Sequence, residues 1–258
     1  MYIPKIKVEI SDIEYNICSI AELLYSDFTN KSLPFKERIY KAFPSISKVI
    51  KQGMTDKEVY HAVKSILCEE YRKHMDEMEA RKSELQGELE SLLYKMLPPL
   101  FDLFEVEWPE ATEYITCYLG LYAVFPRDVI TKEYWIHYKT REEAVIRATM
   151  HEVNHFVLFE KWKSMHGYTL NEQPSHPDAL WFLEEMAIDP TLNNQEIQDV
   201  VPYPQKAYDS FYTNTLKGIP IEDYIIKFFK ERKSMADFLD ISYKFILENY
   251  DVIRNKCG

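Results

Sequence analysis

His151-Glu152-Val153-Asn154-His155 sets two imidazoles and a carboxylate at a spacing that can do chemistry. Positions four apart lie on one face of an α-helix, so His151 and His155 present two nitrogens to a common point. Neutral imidazole nitrogens there suit Zn²⁺, which takes a further protein ligand and keeps a position for water. Glu152 is next door and is placed to act as general base on that water. The chain has only seven histidines in 258 residues, so a chance match to this pattern is an uncommon event for this composition. The bland alternative is an amphipathic helix with solvent-facing histidines. Val153, Asn154, Phe156 and Val157 are all uncharged, which suits a buried motif, and a buried His-Glu-His cluster with no metal would be costly.

The neighbouring stretches must hold these groups in place. Thr140-Arg141-Glu142-Glu143 reads as a capping box, so the motif helix is predicted to begin near Arg141 and to end at His166, with Gly167 as its C′ residue. Residues 114–122 and 133–138 are rich in β-branched and aromatic residues and read as strands, with Pro126-Arg127-Asp128 turning between them. After the motif, residues 167–177 read as a loop. A second helix is predicted from about Asp178 to Asp189, bounded by Pro177 and Pro190, and it carries Glu184 and Glu185.

The flanking regions are mostly helical. Residues 2–10 alternate like a strand, and a helix follows through Ile13, Ile17, Ile20 and Leu24. Pro34 and Pro44 punctuate two short helices, and Thr55-Asp56-Lys57-Glu58 caps a long helical region predicted to stop at Pro98-Pro99. His61 and His74 on that region read as surface residues without carboxylate companions, and His137 as a cross-strand packing residue. From Asn194 the pattern is again helical, with Ser234 capping the last helix. Three parts are expected: a helical N-terminal subdomain over 1–108, a metal-binding core over 109–192, and a helical C-terminal part over 193–258.

Composition narrows the function classes. A hydrophobic fraction of 46% with 28% charged residues is globular, and six glycines suit a helical chain, so the expected class is α+β and predominantly helical. A net charge of −11 argues against nucleic acid and anionic membrane surfaces as partners. Cys18, Cys68, Cys117 and Cys257 are scattered, which is neither a disulfide framework nor a cysteine zinc site. With no apolar run of membrane-spanning length and no signal-like N-terminus, a soluble cytoplasmic protein is expected.

The H-E-x-x-H motif followed by Trp181-x-x-Glu184-x-x-Ala187 resembles the gluzincin branch of zinc metallopeptidases, the thermolysin-like group. The resemblance covers about residues 112–190. It implies a zincin-like core, in which a small antiparallel or mixed sheet carries an active-site helix and a glutamate helix, and the helical C-terminal part closes the cleft. It implies one Zn²⁺ per chain held by His151, His155 and Glu184, with Glu152 as general base and a peptide or protein as substrate. The family's spacing selects Glu184 through Trp181 and Ala187. A competing register remains, because Asp189 lies four residues after Glu185, where the family often has an aspartate that orients the first histidine. Aminopeptidases of this branch carry a glutamate in a G-x-M-E-N segment, which the counterpart Gly120-Leu121-Tyr122-Ala123-Val124 lacks, so endopeptidase or oligopeptidase action is expected. Tyr203, Tyr208, Tyr212 and His176 are candidates to stabilise the oxyanion. The alternative expectation is a catalytically silent zinc-binding scaffold that regulates a partner; intact Glu152 speaks against it, since a scaffold needs the ligands but not the base.

Overall fold

The computed structural model describes residues 2–25, 29–30, 33–51, 53–121, 127–167 and 173–257. Tyr122 to Val124, Pro126 and most of the loop read after Gly167 lie outside the described residues. The chain opens with β1 (Lys5–Ile10) and α1 (Ile13–Tyr25), followed by two short paired strands, β2 (Thr29–Asn30) and β3 (Leu33–Pro34). Two short helices, α2 (Phe35–Ala42) and α3 (Pro44–Val49), lead into α4 (Asp56–Phe104), a single helix of 49 residues. Then come β4 (Tyr114–Gly120), β5 (Arg127–Asp128) and β6 (Glu133–His137), and after them α5 (Glu142–His166), which carries the H-E-x-x-H motif.

Strands β1, β4, β6 and β5 lie in that order in one mixed sheet, with β1, β4 and β6 parallel and β5 antiparallel at the edge. Alternation sets the faces: Ile6, Val8, Ile115, Cys117, Leu119, Tyr134 and Ile136 are buried, while Lys5 and Lys7 face solvent. Tyr134 exchanges a hydrogen bond with Thr149 at 2.8 Å and so fastens the buried face of β6 to α5. On the other face Trp135 stacks between Tyr15 of α1 and Tyr118, with ring centroids 4.5 and 5.1 Å away. A Cβ on Gly120 would come within 3.0 Å of the Asn16 side chain, so only glycine allows α1 this close to the end of β4.

The capping box of α4 forms as predicted, with the Thr55 hydroxyl accepting from Glu58 N–H. The helix then runs through Pro98 and Pro99 rather than stopping there. Leu97, Leu100, Phe101 and Phe104 on that stretch are fully buried, and their burial outweighs the roughly 3 kcal/mol a proline costs inside a helix. His74 also differs from its reading, since Glu70 and Glu77 flank its ring at 3.4 Å each.

Beyond α5 the chain forms α6 (Ala179–Met186), α7 (Ile188–Leu192), α8 (Gln195–Val200) and α9 (Asp209–Thr213). The paired strands β7 (Thr215–Leu216) and β8 (Ile219–Pro220) follow, then α10 (Ile221–Glu231), α11 (Met235–Glu248) and α12 (Tyr250–Cys257). Ser234 caps α11 through Asp237 N–H at 3.1 Å. The fold is thus α+β and mainly helical, and one continuous apolar core joins residues of all three predicted parts. Among the described residues no helix is long and apolar enough to cross a membrane.

Candidate metal centre

Residues Val145 to Trp162 of α5 are buried almost without interruption, because the helix lies between the sheet and the C-terminal helices. Its N-terminus lacks the side-chain cap expected of Thr140; Arg141 occupies the N-cap position with no side-chain bond. Its C-terminus behaves as expected, Gly167 adopting φ 59° and returning its N–H to Lys163 O.

The two motif imidazoles meet edge to face, with ring centroids 4.6 Å apart. The third group that converges on them is Glu185. Its carboxylate bridges the pair, with one oxygen 3.3 Å from His151 Nε2 and the other 3.7 Å from His155 Nε2. His151, His155 and Glu185 form a group able to hold a metal ion, their ligand atoms all within 4.8 Å of one another.

Glu184, the residue favoured from the sequence as ligand, is fully buried, but its carboxylate contacts the guanidinium of Arg127 on β5 instead. Successive helical residues point about 100° apart, so only one of Glu184 and Glu185 can face the imidazoles. The docking of α6 selects Glu185. That docking is fixed one turn later, where Thr191 of α7 donates to the Asn154 side chain inside the motif at 3.0 Å. Asp189 does not reach a histidine: Tyr212 donates to one carboxylate oxygen and Asn193 to the other, at 2.8 Å for Asn193.

Protonation follows from this packing. Burial, reinforced by Arg127 and His151, holds His155 well below the ordinary imidazole pKa, so its nitrogens are neutral and open to a metal. For His151 burial works against the charged form, but the hydrogen bond and charge of Glu185 outweigh it and raise the pKa. Burial pushes the Glu152 carboxyl up, against the pull of His151 and Arg127.

The donor set fits a divalent cation. Neither His155 nitrogen, nor one oxygen each of Glu152 and Glu185, has a hydrogen-bond partner, although all are buried. Buried polar atoms are seldom left so without a missing partner. Three buried carboxyl groups (Glu152, Glu184 and Glu185) crowd around one guanidinium, that of Arg127.

Of the four oxyanion candidates, Tyr208 stands nearest the cluster in electrostatic effect: the charge of Glu185, then burial and Glu152, raise its pKa. Tyr212 is committed to Asp189, Tyr203 lies beside Arg147, and His176 packs on Trp181. Arg127 was read as part of a turn. The signal that could have found it is the number of acidic groups at the motif, which requires a cation nearby. No protein-family model, curated protein or solved structure matches the chain in comparison.

Proposed function

We propose that this chain is a zinc-dependent hydrolase of peptide bonds, with His151, His155 and Glu185 as metal ligands and Glu152 as general base. The observation that carries the reading is the convergence of two helix-borne imidazoles and one carboxylate, beside a second buried carboxylate outside the ligand group. Three protein ligands with a free carboxylate beside them match catalytic rather than structural zinc sites. A bound Zn²⁺ would lower the pKa of a water and polarise the carbonyl to be attacked. Glu152 would take a proton from that water on its carboxylate and return it to the leaving nitrogen. Tyr208, whose hydroxyl feels the charge of Glu185 and Glu152, is the donor assigned to the carbonyl oxygen as negative charge develops there. Strand β5 ends the sheet, so its outer edge can take an extended peptide by strand addition. The mixed sheet with its two metal-bearing helices supports a zincin-like core, and the missing glutamate after Gly120 favours endo- or oligopeptidase action.

The test is metal content after zinc reconstitution, paired with turnover of a peptide library. One zinc per chain is expected in the wild type and in Glu184→Gln, and none in His155→Ala or Glu185→Gln. A wild type that takes no zinc overturns the reading. Zinc kept in Glu185→Gln but lost in Glu184→Gln moves the ligand to Glu184. In Glu152→Gln zinc stays and turnover disappears. A wild type that holds zinc yet cleaves no peptide is the silent scaffold.

A further inference from the structure

Glu184 sits next to the ligand glutamate, is fully buried, and faces no imidazole. A carboxylate in that position is costly unless it holds something in place. What it holds is Arg127, whose side chain is only 13% exposed and projects from the edge strand β5 into the space in front of the two motif histidines. The contact with Glu184 uses one terminal nitrogen. The other two nitrogens lie near acidic groups without bonding to them: Nε is 3.9 Å from Glu152, and the second terminal nitrogen is 3.8 Å from Glu185. Both distances exceed a hydrogen bond, and Nε is buried with no partner. A guanidinium carries five donors in a fixed fork, so an arginine anchored through one nitrogen retains donors for a further partner.

We propose that Arg127, anchored by Glu184, reads a carboxylate of the substrate beside the scissile bond, so that the enzyme prefers acidic substrates. The inference rests on the metallopeptidase reading above. Geometry favours this ligand because a carboxylate accepts a charge-assisted hydrogen bond from a guanidinium N–H that Glu184 leaves free, a stronger bond than an amide oxygen makes there. Because β5 is the sheet edge, a peptide laid along it passes Arg127 before reaching Glu152. The carboxylate can come from an aspartate or glutamate side chain, or from the C-terminus of a short peptide.

The probes are peptidyl hydroxamates, whose hydroxamate anchors on zinc whatever else they carry. One ends in a free carboxylate and its control in the amide; a second pair, both amidated, carries internal Glu or Gln next to the hydroxamate. Their affinities are measured by calorimetry on the zinc-loaded wild type, on Arg127→Lys, and on the double variant Arg127→Gln with Glu184→Gln. The double variant removes the buried charge that Arg127→Gln alone would strand. In the wild type at least one acid is expected to bind about ten- to a hundredfold more tightly than its neutral control, the range of one charge-assisted hydrogen-bonded pair. Which pair responds names the source of the carboxylate. The double variant is expected to lose the preference while keeping one zinc and the affinity of the neutral probes; Arg127→Lys retains part of it. Equal binding of acid and neutral probes to the wild type overturns the proposal, as does a preference that survives in the double variant. Failure to take up zinc, or to bind any hydroxamate, overturns the metal reading and this inference together.

Discussion

Five residues beyond His155 on the same helix, Glu160 forms a second buried ionic cluster. Its carboxylate takes Lys132 at 2.6 Å and Lys163 at 3.0 and 3.1 Å, and Lys132 is 2% exposed, its ammonium lying over the rings of Trp108 and Phe156. Burial pushes the Glu160 carboxyl up, but the charge and hydrogen bonds of the two lysines overcome it and leave it below the ordinary value. Neither Lys132 nor Glu160 has a buried polar atom without a partner. The cluster at His151 and His155 stops short, with three carboxyl groups around one guanidinium and several buried atoms unbonded. One cluster is complete and holds the β5–β6 connection against α5. The other, on the proposed reading, is completed by a cation from outside. Completeness, more than burial or charge, separates the structural ionic site from the candidate functional one.

The comparison breaks first at Lys132. Removing one partner of a buried pair strands the other, so Lys132→Ala should cost about 3–5 kcal/mol. That lowers Tm by on the order of 10 °C in a chain this size, measured by differential scanning calorimetry. Zinc acts in the opposite direction at the other cluster. At a thousandfold excess over its Kd it should stabilise the wild type by about 4 kcal/mol and leave Glu185→Gln unmoved; thermal shift against zinc concentration checks this.

Smaller effects sharpen it. Glu222 of α10 is a further buried acid, with neither oxygen bonded, and burial together with Asp189 and Asp223 raises its pKa well above the ordinary value. A raised carboxyl keeps its proton in the folded chain, so its stabilising contribution is present below about pH 4.5 and is lost as pH rises toward the folded value. Glu222→Gln should therefore stabilise at pH 8 by about 1–3 kcal/mol and change little at pH 4, measured by urea denaturation at both. His155 has the opposite linkage. Its depressed pKa means that stability falls as pH drops below about 6.5, where the unfolded imidazole takes a proton and the folded one does not. His155→Phe should flatten that acid limb in the zinc-free protein. The smallest change is expected from Lys132→Met with Glu160→Leu: replacing both partners by apolar groups of similar size should cost under about 1.5 kcal/mol.

Much of this was legible in the sequence. The motif helix, its glycine stop, strands β1, β4 and β6, and the capped start of α4 follow from local patterns, and local patterns are what a sequence states directly. Three features were not. Pro98 and Pro99 were read as a stop because the apolar burial that carries α4 past them is tertiary. Glu184 and Glu185 are equivalent by type, and the choice depends on how α6 docks on α5 through Asn154 and Thr191, a contact 37 residues apart in the chain. Arg127 looked like a turn residue because a two-residue strand exists only through its pairing with β6.

At 1.5 Å per residue, the 49 residues of α4 extend about 70 Å. A compact chain of 258 residues has a radius of gyration of about 18 Å, so this helix alone is longer than such a globule is wide. In hydrodynamic terms the molecule should behave as an elongated particle. It should sediment more slowly and elute earlier from a sizing column than its 30.8 kDa mass would give for a sphere. An early elution volume taken alone would therefore overstate its oligomeric state, and light scattering is the measurement that separates shape from mass.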